Sequence, residues 1–307
     1  MVNGKLVTIF GGSGFIGNYI VKELASLGYV IRVVTRDPQK ALYLRTAGPT
    51  GQVVLTPADV YNLDHLKKVV HGSAIVINLL GTFLTKDFDK LHNEVAENIA
   101  RICKDQNVKQ LIHISALVSN KAKISSQYAK SKFAGEKAVL AIFPNASIIR
   151  PSVVFGHEDK FFNKFAQLIK YMFCIPLIGG GKTKFQPVYV GDIAKAISKI
   201  VQNTNLQGKI YSAVGPDVIT FKAIIEFISN TIDKKRMLLP IPFWIASLIA
   251  RVIEMLSNPM ITCDQVELLK YDNIFDQQEQ ISSSIQDIVR NLTSIQSVVP
   301  RYLICYK

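Results

Sequence analysis

Tyr128 and Lys132 stand four residues apart in the stretch Gln127 to Ile142, whose spacing predicts a helix. Residues at that separation share a helical face, so the Lys132 ammonium can sit beside the Tyr128 phenol and favour its ionised form. Such a phenol exchanges protons near neutral pH, which is the work of a general acid/base. With 11 tyrosines and abundant lysine, one such pair is expected by chance, so position must carry the assignment. Ser115 closes the apolar run Gln110 to Ser115 just upstream, where its hydroxyl can face the same crevice.

A second constellation would supply a nucleotide. Leu6 to Phe10 reads as a strand buried on both faces, and it runs into Gly11-x-x-Gly14-x-x-Gly17. The glycines allow a sharp turn and close approach of backbone to a pyrophosphate, with Ser13 inside the turn and Phe15 and Ile16 opening the next helix. Ile16, Ile20 and Leu24 recur at helical spacing and Gly28 marks the helix end. The helix N-terminus therefore aims its free N–H groups at the turn. Tyr29 to Thr35 follows as a second strand and completes a βαβ unit. An NAD site usually places a carboxylate at the end of that strand, whereas this chain places Arg36 there, which can pair with a 2′-phosphate and favours NADP(H) over NAD(H). Asp37 before Pro38 reads as a turn residue.

The elements that must hold these groups alternate along the first half. Gln52 to Leu55, Ala74 to Leu80, Gln110 to Ser115 and Ala146 to Ile149 read as strands; Leu63 to Val70, Asp89 to Gln106 and Gln127 to Ile142 read as helices. The pattern predicts an α/β fold with a doubly wound parallel sheet, whose ligands lie across the carboxyl ends of the strands. Asp59 and Val60, after the third strand, and Leu80 and Gly81, after the fourth, belong at those ends. Asp59 can hydrogen-bond an adenine amino group or cap its own loop.

The net charge of +13 admits a nucleic acid, an anionic membrane surface or an acidic partner. The charge is dispersed apart from Lys234, Lys235 and Arg236, and no nucleic-acid motif is present. Cys103, Cys174, Cys263 and Cys305 form no metal-binding spacing, so no metal site and a reducing compartment are expected. The first strand begins too early for a secretory signal and no apolar run reaches bilayer length, which predicts a soluble or peripheral chain. Phe243 to Leu256 leaves a broad apolar surface around Ser247, Arg251 and Glu254. That helix is expected first to pack in the core, then to dock on a protein or lie at a membrane interface.

These motifs, in this order, resemble the extended branch of the short-chain dehydrogenase/reductase superfamily, and Arg150-Pro151-Ser152-Val153-Val154-Phe155-Gly156 matches its R-P-x-x-V-[YF]-G segment. The resemblance implies Tyr128 as acid/base, Lys132 on the nicotinamide ribose, Ser115 on the substrate oxygen, and Pro151 and Val154 beside the cofactor. It also matches Gly179 to Gly181 and Gln186 to Ala194 to a later loop and returning strand. One departure is the single serine after the fifth strand, where extended members carry two or three hydroxyls.

Leu239 to Trp244, Asn258 to Asn273, His157 to Asn163 and Val298 to Leu303 bring the chain closer to one family. They look like alpha-subcomplex subunit 9 of NADH:ubiquinone oxidoreductase, respiratory complex I, with its bacterial relatives. That resemblance implies an accessory NADP(H)-binding subunit whose nucleotide is a structural or regulatory ligand. Its partners would be complex I subunits, and it would be cytoplasmic or peripheral on the inner face of the respiratory membrane, the matrix side in a eukaryote. The alternative is an active NADP-dependent oxidoreductase, or an epimerase/dehydratase-like enzyme. Residues 1–178 would form the Rossmann domain, with 187–215 returning to it, and 179–307 a smaller, mainly helical C-terminal lobe for substrate or docking.

Overall fold

The computed structural model describes residues 4–83, 87–255, 259, 261–276 and 283–307. Leu256, Asn258 and Met260, which belong to stretches singled out above, lie outside the described residues.

Val7, Ile9 and Phe10 of β1 (Leu6–Phe10) are fully buried, as a strand covered on both faces requires. It lies between β2 (Val30–Thr35) and β4 (Ile75–Asn78), with β3 (Val53–Pro57) beyond β2 and β5 (Gln110–Ile114) and β6 (Ser147–Pro151) beyond β4. Two strands not foreseen extend the sheet past β6: β7 (Ile210–Ala213) and β8 (Ser283–Ser284). All eight strands are parallel, in the order β8-β7-β6-β5-β4-β1-β2-β3. The strand order reverses between β1 and β4, which opens a crevice at the end of β1.

Successive residues of β1 point to opposite faces and seed two cores. Ile9 joins Ile20 and Leu24 of α1 (Phe15–Ser26) and Ile193 and Ile197 of α6 (Val190–Gln202). Phe10 joins Leu66 of α2 (Leu63–Val70), Ile99 of α3 (Val95–Asp105) and Val139 of α4 (Gln127–Ile142). Gly28 takes the left-handed φ of 82° that ends α1, and Asn62 caps α2 by accepting from Asp64 N and His65 N.

A third core lies outside the sheet. Phe162 and Ile169 of α5 (Phe162–Tyr171) pack there with Ile225 of α7 (Phe221–Thr231) and Val299 of α10 (Ile295–Leu303). Beside it the strand Cys174–Ile178 pairs in parallel with Met237–Ile241, followed by α8 (Phe243–Ile253) and α9 (Cys263–Leu268).

Three expectations change. The helix expected from Asp89 contains a π-helical turn over Lys90–Glu94. There the chain meets α4 closely enough that a Cβ on Gly135 would lie 1.9 Å from the His92 carbonyl oxygen. The returning strand expected over Gln186 to Ala194 is only Val188–Tyr189, paired with Val154–Phe155, because Val190 onward is α6. Finally, α8 packs inward only in part: Ala246 and Ala250 are buried and Phe243 packs beside them, but Trp244 is 70% exposed and Leu248 and Val252 are exposed with it.

Candidate nucleotide and proton-transfer site

The glycine turn joins β1 to α1 at the crevice. Gly11 has φ +73°, Gly14 N donates to Gly11 O (3.0 Å), and Gly14 is the α1 N-cap without a side-chain partner for the first-turn N–H groups. A Cβ on Gly17 would lie 2.4 Å from Gly11 O and 2.5 Å from Gly12 Cα, so only glycine lets the helix close on the turn. An exposed Gly14 beside these N–H groups forms the cradle a pyrophosphate fits. Phe15 and Ile16 are half-buried at the helix start.

Ser13 Oγ donates to Thr35 Oγ1 (3.5 Å), and Tyr43 OH donates to Ser13 O (3.1 Å). Tyr43 was missed because it sits in a short 3-10 segment, Gln39–Ala47, with no motif. Arg36 is exposed directly after β2, at the carboxyl end of that strand. Asp37 Oδ1 accepts from Gln39 N and Lys40 N, the turn role expected of it. Asp59 Oδ1 likewise accepts from Tyr61 N, so the carboxylate closes its own loop. Val60 is buried in the second core, and Val154 is half-buried against the first.

At the end of β4, Asn78 Oδ1 accepts from Leu80 N (3.0 Å) and Leu80 O accepts from Lys132 Nζ (3.1 Å). Lys132 also donates to Ile114 O (2.9 Å), beside the buried Ser115. A Cβ on Gly81 would stand 3.0 Å from the Lys132 nitrogen. Lys132 is 3% exposed, and burial lowers it to about 8, partly offset by Glu136. Pro151 ends β6, its carbonyl accepting from Leu117 N (2.9 Å). The structure thus gathers the turn, Arg36, Gly81, Ser115, Tyr128, Lys132 and Pro151 at the carboxyl ends of β1, β2, β4, β5 and β6.

Two buried histidines, invisible as site residues in the sequence, underlie the pair. Thr82 N donates to His92 Nε2 (3.2 Å), which fixes the proton on Nδ1 for donation to Ser131 Oγ (2.9 Å). Ser131 Oγ in turn donates to Tyr128 O (2.9 Å). Burial and the Lys132 charge hold His92 down at about 3, and the same causes with His92 hold His113 at about 3. Beneath them Arg150 grips Glu136 through two bonds of 3.0 and 2.5 Å, both side chains buried.

The phenol departs from the expectation that Lys132 lowers it. Burial and then the Asp264 carboxylate push Tyr128 well above the ordinary phenol range. The lysine ammonium is held by two carbonyls at strand ends, while a carboxylate arrives from the C-terminal segment. The Tyr128 ring is walled by Phe83, stacked at 3.9 Å between centroids, and by the edges of Phe88 and His92.

Asp264 belongs to α9 and clamps the start of α4. It accepts from Ser126 Oγ (2.8 Å), Gln127 N (2.7 Å) and Tyr128 N (3.2 Å). Further along, Asn273 Nδ2 donates to Leu117 O (2.5 Å), and Ser152 Oγ donates to Asn273 Oδ1 (2.5 Å). The segment therefore ties the start of α4 to the loops after β5 and β6. The tail is tied in the same way: Tyr302 OH donates to Asp159 Oδ2 (2.5 Å), whose other oxygen accepts from Phe162 N (2.6 Å) and caps α5. Among the described residues no cluster of metal-binding side chains occurs.

Residues 7–213 match the NAD dependent epimerase/dehydratase family. The chain is 33% identical over 279 residues to the mitochondrial NADH dehydrogenase (ubiquinone) 1 alpha subcomplex subunit 9 of Rattus norvegicus, covering 89% of this chain and 74% of that protein. It is 28% identical over 310 residues to the mitochondrial NADH-ubiquinone oxidoreductase 40 kDa subunit of Neurospora crassa, covering 100% of this chain and 80% of that protein. Its fold matches the Citrobacter triphenylmethane reductase complexed with NADP(H), with a TM-score of 0.77 at 18% identity over 96% of this chain and 99% of that one.

Proposed function

Because the chain belongs to the NAD dependent epimerase/dehydratase family and, with the rat protein, to the alpha subcomplex subunit 9 family, we propose that it is an accessory subunit of respiratory complex I that retains NADP(H) as a structural or regulatory ligand. The turn N–H groups from Gly14 to Gly17 would hold the pyrophosphate, Arg36 the 2′-phosphate, and Tyr128 and Lys132 the nicotinamide ribose. When bound, the nicotinamide supplies a hydride. The chain's own residues favour retention over use: the phenol is raised rather than lowered, and the start of its helix is tied down by Asp264.

The observation that carries this reading is the Asp264–Asn273 clasp. A segment from the C-terminal third spends its side-chain hydrogen bonds on the start of α4 and on Leu117 and Ser152, where an enzyme of this fold would leave room for substrate. No helix among the described residues is long and apolar enough to cross a membrane. In this reading the subunit sits peripherally on the inner face of the respiratory membrane, the matrix side in a mitochondrion.

The test compares Tyr128→Phe with Gly14→Val in cells that depend on the chain, measuring complex I content on native gels and NADH:quinone activity. Tyr128→Phe should assemble and respire normally, while Gly14→Val should lower complex I content. A Tyr128→Phe strain with full complex I and loss of a soluble NADPH-dependent reductase activity would establish the enzymatic alternative instead.

A further inference from the structure

Helix α8 is built inside out. Its small residues Ala246 and Ala250 are 5% and 0% exposed and pack against Ile178 and Val266. Several of its large apolar residues face solvent, although Phe243, Ile245 and Ile253 are half-buried: Trp244 is 70%, Leu248 58%, Val252 63% and Met255, just past the helix, 86% exposed. These positions recur at helical spacing and form one stripe. A surface helix ordinarily does the reverse.

Exposed apolar residues also lie on the strand that leads into α8, where Met237 and Leu239 are 66% and 48% exposed and share a face with Ile241, which packs against Ala246 and Ala250. Met237 N donates to Phe173 O (3.4 Å), which sets the exposed Met237 beside Phe173, itself 88% exposed. At the other end of the pair a Cβ on Gly179 would meet the Phe243 ring at 2.4 Å, so the strands abut the start of α8. Phe173 is backed by Arg236, whose guanidinium lies 5.8 Å from its ring centroid and donates to Ile169 O and Lys170 O. Apolar surface of this extent on a water-soluble fold marks a contact site.

Charge identifies the occupant. Between the flanking Asp233 and Glu254 no aspartate or glutamate occurs, nor from residue 160 to 182, whereas Lys234 and Lys235 directly precede the strand of Met237, Lys170 meets Arg236 through its carbonyl, and Arg251 stands on α8. A protein interface carries roughly one hydrogen bond per 100–200 Å², but the outward stripe of α8 carries no polar side chain of its own, Arg251 and Glu254 lying at its edge toward Cys263. A tryptophan among aliphatic residues, rimmed by cations, suits the headgroup boundary of a bilayer. We propose that this face, made by Phe173, Met237 and α8, inserts shallowly into an anionic phospholipid membrane. The proposal deepens the accessory-subunit reading by assigning a partner to one face; vesicle binding requires neither nucleotide nor complex I, so its failure would leave that reading standing.

Trp244 is the chain's only tryptophan and reports on the face directly. The full chain is titrated with phosphatidylcholine vesicles, with and without phosphatidylglycerol, and with brominated acyl chains as quencher. Insertion shifts Trp244 emission to the blue and brings quenching with the phosphatidylglycerol vesicles. Lys234→Gln and Lys235→Gln should each weaken partitioning about fivefold, and Val252→Ser with Met255→Ser about tenfold or more. These four positions are not core residues, and unchanged thermal melts will show that the variants fold. Emission that stays that of a water-exposed indole at all lipid concentrations overturns the proposal. So does vesicle binding without quenching, which would be charge adsorption alone, and so does a shift driven by protein concentration, which would make the occupant a second copy.

Discussion

Gly17 and Gly14 are both glycines of one turn, yet the structure separates their effects. A methyl group on Gly17 would stand 2.4 Å from Gly11 O, 2.5 Å from Gly12 Cα and 2.6 Å from Gly12 O. Those atoms are backbone and cannot rotate aside, so the turn must lift from α1 by about 1 Å to reach ordinary contact. Overpacking of this kind costs about 1–3 kcal/mol, and a rigid backbone neighbour places Gly17→Ala at the upper end. For a chain of this size that is a fall in Tm of roughly 4–5 °C without any ligand. Gly14 differs: its Cβ would meet only Gly11 O at 3.2 Å. Gly14→Val should therefore melt within a few degrees of wild type when cofactor-free, but its side chain fills the space a pyrophosphate needs. Ligand at a hundred times its Kd stabilises wild type by about 2.7 kcal/mol, and Gly14→Val should gain none of it. Differential scanning fluorimetry with and without NADPH reads both effects. A Gly17→Ala protein with the wild-type cofactor-free Tm would refute the packing argument, and a Gly14→Val protein still stabilised by NADPH would refute the cradle.

Arg36→Ala should weaken NADPH by about 1.5–3 kcal/mol and NADH hardly at all, because a charge-assisted pair with the 2′-phosphate is lost; isothermal titration with both nucleotides checks this, and equal losses would remove Arg36 as the selector. Folding holds His92 and His113 at about 3, below their unfolded value of about 6.5, so the unfolded chain binds more protons between those limits. Their contribution is complete above about pH 6.5 and falls as pH drops, by up to about 1.4 kcal/mol per pH unit for each histidine; urea unfolding across that window should show the loss, and a flat profile down to about pH 5 would contradict it. Glu136→Ala leaves the Arg150 guanidinium buried without its bidentate partner and should cost about 3–5 kcal/mol in urea unfolding, whereas Glu136→Leu with Arg150→Met should recover much of that.

The sequence located the glycine turn between β1 and α1 because its constraints are local. Gly11, Gly14 and Gly17 are fixed by steric limits within one turn, and the strands before and after it announce themselves as unbroken apolar runs. Helices α2 and α4 begin and end where their periodicity said, since Asn62 and Ser126 supply side-chain caps next in sequence. What escaped depends on contacts between distant segments. The environment of Tyr128 is set by Asp264, more than a hundred residues away, and no spacing rule connects them. The same holds for β7 and β8, which are too short to show a period, and for α8, whose apolar pattern is as consistent with a face turned inward as outward. Hydrophobic periodicity reports that a stripe exists; only the packing of Ala246 and Ala250 shows which side the protein keeps.

The stretches of the sequence that most strongly marked this chain off from an ordinary reductase turn out to touch one another. His157 to Asn163 meets Val298 to Leu303 through the Asp159–Tyr302 bond, and the 262–273 segment meets Tyr128 and Ser152. The first of these joints reaches the nucleotide turn by direct contact. Gly156 N donates to Asp159 Oδ2 (3.3 Å), and a Cβ on Gly156 would lie 3.1 Å from the Phe15 ring at the start of α1. Tyr19 on the same helix donates to Glu158 (3.1 Å). A ligand that orders the turn and the first residues of α1 therefore also supports the loop on which the C-terminal helix is seated, and by linkage it stabilises whatever opens together with that loop. In the accessory reading this gives the nucleotide a physical task without turnover: it holds the turn, the turn holds Phe15 and Tyr19, and these brace the 156–159 loop that fastens α10 to the lobe carrying the exposed apolar face.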